Sequence, residues 1–520
     1  MPNTDSRHQP LKLPIRERAG GRGMRCFRFV IAGSLLFLAA SESGQAGGAP
    51  PNGGRERAAS APLGRLHRLN VAALDEQGQP VTGLRSADFQ LFEDGKPRDI
   101  AFFRFTGART LLGAPDPREY SNRAVAARHV TVVLIDLLND PVMNESIVTR
   151  EVAEGLRRLE SSDGLYLYML TARGELYPIH PLPKPGDAAT PAAEPWTRDI
   201  APTLQAALKD LVRLKPVDDR EIKVRFELTV NALRDLGSQM AQFSGRKNLV
   251  WLTRGIRIIG YSISAQSNLD FTQPLRRLGE ELEQEQIVVY TVAQSPAGAA
   301  VEADRADTFD ALTGITGGRE YSSDRAGDAI QQAMADSRAN YEIAYYSAPL
   351  NSDGKHHKIR VVCGRKDVRL QTKLGFYAVA PPVSPGNLAP RALRSAETAA
   401  DSPFDATDIG LRASVSPDPV YERNMRFEIH IDPADLLPRH APDRDSRSVF
   451  VMFAAYDEGL KQPSQPIVDS LSPEEFEAAT HGETGLRYAV PLQPAILKVR
   501  VIVYDAELGT VGSVTIPVRR

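Results

Sequence analysis

Chemistry in this 520-residue chain is most conceivable at Asp136, which closes the apolar run Val130-Thr-Val-Val-Leu-Ile135. Such a run reads as a strand buried on both faces of a sheet. In open α/β sheets ligands gather outside the carboxyl ends of strands, where the strand order reverses. A carboxylate at that end is therefore a candidate ligand or binding group, or simply the cap of the following loop. Asp140 stands four residues on and could form an acid pair with it, but a hydrolase also needs a positioned nucleophile or base. The chain has no Gly-x-Ser-x-Gly, His-Glu-x-x-His or Gly-x-x-x-x-Gly-Lys segment, so the nucleophile elbow, the zinc-protease helix and the phosphate loop are absent.

Other reactive side chains have plainer readings. His356 and His357 are adjacent at a strand border, and neighbours in an extended chain point to opposite faces. A turn or solvated surface fits them better than a two-histidine metal site. Tyr341, Tyr345 and Tyr346 read as packing residues of a sheet, and Trp251 as core. Glu280-Glu-Leu-Glu-Gln-Glu285 reads as the solvated face of a helix. Asp432, Asp435, Asp443 and Asp445 lack the spacing of a calcium loop. Cys26 and Cys363 are the only two cysteines, which excludes cysteine-rich zinc sites.

The elements that must position Asp136 alternate. After its strand, Glu145–Leu159 reads as a helix, and Leu165–Leu170 and Leu176–Ile179 as a hairpin-like pair. Helical patterns over Thr203–Leu214, Arg225–Phe243 and Pro274–Gln286 then alternate with strands Leu249–Leu252, Ile287–Val292 and Tyr341–Tyr346. This order predicts an α/β, doubly wound sheet with one antiparallel edge strand.

Before it, short strands with an Asp94-Gly95 hairpin signal form a small β module over residues 65–110. After the α/β domain (127–378), the Pro/Ala/Ser-rich stretch 379–402 reads as a linker. Strand signals over 403–520 predict a β-sandwich.

At the start, Arg22, Arg25 and Arg28 precede the apolar run Phe29–Ala40 and the small-residue stretch through Ala46. That is the order of a secretory signal peptide over 1–46, with Met24 as an alternative start and 47–64 as a leader. The run is short of the roughly 20 apolar residues of a membrane span, and no later segment reaches that length. With 63 basic and 65 acidic residues the chain shows no nucleic-acid footprint.

Several segments together carry a family resemblance. Val130–Asp136 resembles the first strand of a von Willebrand factor A (VWA) domain, and Lys247-Asn-Leu-Val-Trp-Leu-Thr-Arg-Gly255 resembles its fourth strand and site loop. Thr313-Gly-Ile-Thr-Gly-Gly-Arg319 resembles its late Gly-Gly turn. With Asp88-Phe-Gln-Leu-Phe-Glu-Asp-Gly95, Gly245-Arg-Lys-Asn248 and Tyr341-Glu-Ile-Ala-Tyr-Tyr346, the chain is similar to the VWFA-related proteins common in Acidobacteria.

The resemblance implies a metal-ion-dependent adhesion site of pattern Asp-x-Ser-x-Ser with a distant Thr and Asp. Here the Asp is Asp136, the two Ser positions hold Leu138 and Asp140, the Thr corresponds to Thr229, and the distant Asp falls at Arg254. A guanidinium competes with Mg²⁺ for the same carboxylates. In one reading Arg254 replaces the cation and pairs with Asp136 or Asp140. In the other, Asp136, Asn139, Asp140 and Thr229 assemble a modified Mg²⁺ site. The first is preferred, with no cofactor.

The expectation is an exported, non-enzymatic protein, periplasmic or extracellular. It would mediate protein–protein interaction or adhesion through the face carrying Asp136, Asn139, Asp140, Thr229 and Arg254. The alternatives are a structural or assembly component of the cell envelope, with the VWA fold as scaffold, and a metal-dependent enzyme.

Overall fold

The run ending at Asp136 forms the strand Val130–Asp136, buried at every position. The computed structural model describes residues 15–16 and, within 65–518, all but 108–118, 124–128, 140–146, 160, 162, 185–195, 212–221, 254, 256–258, 262–267, 294–311, 323–324, 348–353, 379–387, 421–423, 437–448, 458–466, 482–484 and 493–495. The leader and nearly all of the targeting segment lie outside the described residues. Among those described, no helix is long and apolar enough to cross a membrane.

The Asp136 strand lies inside a six-stranded sheet. Its order is Glu320–Ser322, Ile287–Ala293, Lys247–Thr253, Val130–Asp136, Leu165–Leu170 and Leu176–His180. All neighbours are parallel except the last pair, which is antiparallel. The fold is thus α/β with one antiparallel edge strand.

Burial on both faces explains why the strands are apolar without alternation. Val130, Val132 and Leu134 pack with Phe226, Val230 and Leu233 of the helix Ile222–Ala241 and with Leu275 and Leu278 of the helix Thr272–Gln284. Val133 and Ile135 pack on the other face with Leu204 and Leu208 of Ile200–Leu211 and with Ile330 of Ala326–Arg338. Each such side chain contributes about 1.5–3 kcal/mol when fully buried. The Gly-Gly turn before the edge strand is required by space. Gly317 has φ +86, and a Cβ on Gly318 would meet the Val289 carbonyl oxygen at 1.7 Å.

Tyr341–Tyr346, expected in the wound sheet, is instead part of a different sheet. The strand Asn340–Tyr346 pairs antiparallel with Leu66–Leu74 on one side and Phe102–Phe105 on the other. A second sheet joins Phe89–Glu93 to the strand His356–Cys363. The two sheets share one core of Leu69, Val71, Leu91, Tyr341, Ile343 and Ile359. The physical reason is the size of the N-terminal strands, which bury too little alone and close a sandwich with the chain that follows the α/β region. The Asp94-Gly95 hairpin is present, with φ of 49° and 79°.

The 379–402 linker expectation is also corrected, because Leu388–Asp401 is a helix. Ala396, Ala399 and Ala400 form its buried stripe against Met452, Ala454, Tyr456 and Ile502. The Ala content that suggested a linker supplies a spacing of three and four residues, which is a helical face. Beyond it, Leu411–Pro417, Asn424–Ile431 and Leu486–Pro491 form one antiparallel sheet, and Val449–Asp457, Ile467–Ser470, Ile496–Asp505 and Thr510–Pro517 another, around a common core. Glu119–Ser121, which precedes the α/β region in sequence, adds to the first of these sheets through Leu411–Pro417.

Candidate functional site

The chain passes from the Asp136 strand to Leu165–Leu170 on one side and later returns to Lys247–Thr253 on the other. The strand order therefore reverses between Val130–Asp136 and Lys247–Thr253, and their carboxyl ends define the switch point. Register places Trp251 opposite Leu134 and Leu252 opposite Ile135. Alternate residues share a face, so Trp251 and Thr253 lie on the same face as Leu134 and Asp136.

At this point one carboxylate collects five donors. Asp136 Oδ1 accepts from the backbone amides of Leu138 at 3.0 Å and Asn139 at 2.9 Å. Oδ2 accepts from Asn139 Nδ2 at 2.8 Å, Thr253 Oγ1 at 2.7 Å and Trp251 Nε1 at 3.2 Å. Asn139 Nδ2 also donates to Thr229 Oγ1 at 2.9 Å, and that hydroxyl donates to the Arg225 carbonyl at 2.9 Å. Thr229 comes from the helix Ile222–Ala241, whose neighbours Phe226 and Val230 hold it against the sheet.

Asp136 and Thr229 are fully buried, and Asn139 is 7% exposed. Burial pushes the Asp136 carboxyl above its ordinary range, while the bonds from Asn139, Thr253 and Leu138 pull the other way. Leu138, at a position where the adhesion-site pattern has Ser, packs in the core beside Leu134 and Phe226. Asn139 Oδ1 is buried without a hydrogen-bond partner.

The structure thus brings Asp136, Asn139 and Thr229 into one bonded group. Asp140 and Arg254 lie outside the described residues, each one position beyond a residue bonded to Asp136. Asp136 consequently ties together the roots of two loops, one leaving through Leu138 and Asn139 and one through Thr253. Gly255, with φ 85°, donates its amide to Thr253 Oγ1 at 3.1 Å and fixes the second root further.

Sequence reasoning missed Trp251 and Thr253 as members of this group. The signal was the strand order, which sets them beside Asp136 and is not written in local patterning.

The opposite end of the sheet is held by Gly245-Arg-Lys-Asn248. Arg246 donates to Asn340 Oδ1 at 3.1 Å, Asn248 Oδ1 at 3.2 Å and Tyr290 Oη at 2.5 Å, and Tyr290 donates to Asp336 Oδ2 at 2.5 Å. Asn248 donates to the Ala333 carbonyl and to Ser337 Oγ, each at 2.7 Å. All of these side chains are buried. Their chemistry is a saturated polar network that locks helix to sheet.

No protein-family model and no curated protein matches the chain. Among solved structures it is similar to the human COPII-coat protein Sec24c, at 10% identity and TM-score 0.24, over 48% of this chain and 43% of that one. It is similar to the PilB minor pilin from Streptococcus sanguinis at 13% identity and TM-score 0.25, over 40% and 60%. The pilus adhesin SpaC from Lactobacillus rhamnosus GG, in its open conformation, gives 7% identity and TM-score 0.26, over 83% and 56%. The chain spans between 43% and 60% of the length of these three structures. At such identities and TM-scores the likeness carries no argument about function.

Proposed function

We propose that this is an exported, non-enzymatic binding protein whose VWA-like α/β domain contacts a protein partner at the switch point without Mg²⁺. One observation carries the reading: the Asp136 carboxylate is fully buried and is met by five protein donors, which root two loops on it.

A carboxylate has about four lone-pair sites. Donors already converge on both oxygens, so a cation there would face N–H and O–H groups. Mg²⁺ needs near-octahedral oxygen ligands and keeps several waters. The described residues do not fit it: Leu138 offers no ligand atom, and Thr229 Oγ1 is bonded on two sides.

Asp136, Asn139 and Thr229 are too buried to touch a partner, and on this reading they position the loops. Contact falls to the residues just beyond the roots, with Arg254 supplying a permanently charged cation for a partner carboxylate, the planar bidentate pairing that guanidinium favours. The test is capture of partners by the immobilised protein and by Arg254→Glu, read by quantitative mass spectrometry. The reading expects partners held by the wild type to be lost from the variant, with an unchanged melting temperature. An identical captured set from both would overturn it.

A further inference from the structure

The sandwich built from Leu66–Leu74, Phe89–Glu93, Phe102–Phe105, Asn340–Tyr346 and His356–Cys363 has an apolar core, but one end of it is polar. Along Phe89–Glu93 the buried positions are Phe89, Leu91 and Glu93. Along His356–Cys363, Ile359 lies in the core and Val361 and Cys363 pack against it, so the two-residue period places His357 on the same face. His67 precedes the core residues Leu69 and Val71, and Tyr345 follows Tyr341 and Ile343. Register sets Tyr345 opposite His67 and Glu93 opposite Ile359. The ring of Phe376 lies 3.9 Å from that of His67 and 5.2 Å from that of His357. Four strands therefore each place a titratable side chain at an inward position, at one end, where alternation calls for an apolar one.

Two of these side chains have no protein partner for a buried atom. Tyr345 is 0% exposed and its Oη is unbonded, and His67 is 7% exposed with Nε2 unbonded. Burial holds the His67 imidazole neutral, at about 2, with Lys373, Arg65 and His357 adding to the effect. Beside them, Asp94 Oδ2 lies 2.7 Å from His357 Nδ1, while Asp94 Oδ1 accepts from the Lys358 amide at 2.9 Å. Arg98 Nε orients the Glu93 carboxylate through Oε2 at 2.8 Å. One ligand atom each from Glu93, Asp94 and His357 lies within 4.8 Å of the other two.

We propose that this end of the sandwich binds a divalent transition-metal ion of the zinc class, ligated by Glu93, Asp94 and His357. An imidazole with two carboxylates suits zinc and its first-row neighbours, whereas Mg²⁺ and Ca²⁺ take all-oxygen shells. Ligands about 2.0–2.2 Å from the ion stand roughly 3.3 Å apart in a tetrahedral shell. The His357–Asp94 approach is close to that spacing, with a hydrogen where the ion would bridge. Ligation through Nδ1 therefore replaces this hydrogen bond and leaves the N–H of the neutral imidazole on Nε2. A water completes the fourth position of the shell. The His356-His357 pair reads as surface from sequence because its metal partners, Glu93 and Asp94, come from a strand and turn more than 250 residues earlier.

The test is calorimetric titration of the full protein with ZnCl₂ in excess Mg²⁺. Two variants should remove the site. Asp94→Asn keeps the turn, since Asn-Gly is a favoured pair for two left-handed residues, and His357→Ala removes the nitrogen ligand. His481→Ala controls for the exposed His481–Glu477 pair. The expected result is one zinc per chain in the wild type and in His481→Ala, weakened at least about 30-fold in Asp94→Asn and His357→Ala. No saturable zinc binding by the wild type, or unchanged affinity in either site variant, would overturn the proposal.

Discussion

The Trp251 indole Nε1 donates to Asp136 Oδ2 at 3.2 Å from the adjacent parallel strand, at the point where the strand order of the central sheet reverses. Trp251 is therefore both a core residue, fully buried, and one of the groups that keep a carboxylate dissolved inside the protein. Replacing that carboxylate by an amide should be costly. Asp136→Asn turns an acceptor into a donor facing other donors, and a buried unsatisfied group costs about 1–3 kcal/mol. We expect urea denaturation to show a loss of about 2–4 kcal/mol, because more than one donor loses its acceptor. Thr253→Val, which removes a single donor of similar shape, should cost about 1–2 kcal/mol.

Acid sensitivity should centre on Glu342. Its carboxyl is held down to about 2: burial opposes ionisation, but Arg104 and Arg68 outweigh it through charge and hydrogen bonds. A carboxyl depressed in the folded state stabilises fully above its unfolded value, near 4.5, and that contribution is lost as pH falls through 4.5 towards 2. The stability gap between the wild type and Glu342→Gln should therefore be largest at neutral pH and shrink over that window. Denaturation midpoints measured at several pH values check it. A gap of constant size would show that Glu342 acts through packing alone.

At the amino end of the strand Lys247–Thr253, Lys247 is buried and donates Nζ to the Phe243 carbonyl at 2.9 Å. Burial lowers its ammonium to about 8, against smaller opposing effects of Glu285 and Asp408. A lysine depressed on folding destabilises while both states are charged, and that penalty fades as pH rises through 8 towards 10.4. Lys247→Met should therefore gain most in relative stability at neutral pH and least near pH 10.

Arg246 should behave as an independent lock. Arg246→Met leaves Asn340 and Tyr290 without their shared donor and Asp336 without its buried ion-pair partner, and removing one partner from a buried charged network costs about 3–5 kcal/mol. Arg246 and Asp136 lie at opposite ends of a strand pair, roughly 20 Å apart at 3.3 Å per residue. Their stability losses should add within about 0.5 kcal/mol in the double variant Arg246→Met/Asp136→Asn, measured by the same denaturation assay.

The legibility of the fold follows the range of the interactions. Val130–Asp136 and Lys247–Thr253 are readable because burial on both faces leaves continuous apolar runs. The Asp94-Gly95 hairpin is readable because its backbone demands those residues. By contrast, Asn340–Tyr346 carries the same apolar signature in either sheet. Its true partner, Leu66–Leu74, is set by which edges are left uncovered, and no local pattern records that. The helix Leu388–Asp401 was hidden by composition, although Ala396, Ala399 and Ala400 hold its spacing. At the site, Asp136 and Thr229 were legible from the end of a strand and from a family pattern. Trp251 and Thr253 were not, because their part depends on register between strands more than 100 residues apart.

The central proposal is that Asp136, met by five protein donors, serves as a loop anchor and not as a metal ligand. The most direct measurement is calorimetric titration of the wild type and Asp136→Ala with MgCl₂ and MnCl₂, with circular dichroism confirming that both are folded. The account predicts that neither cation gives a saturable signal that depends on Asp136. Saturable Mg²⁺ or Mn²⁺ binding by the wild type that disappears in folded Asp136→Ala would contradict it.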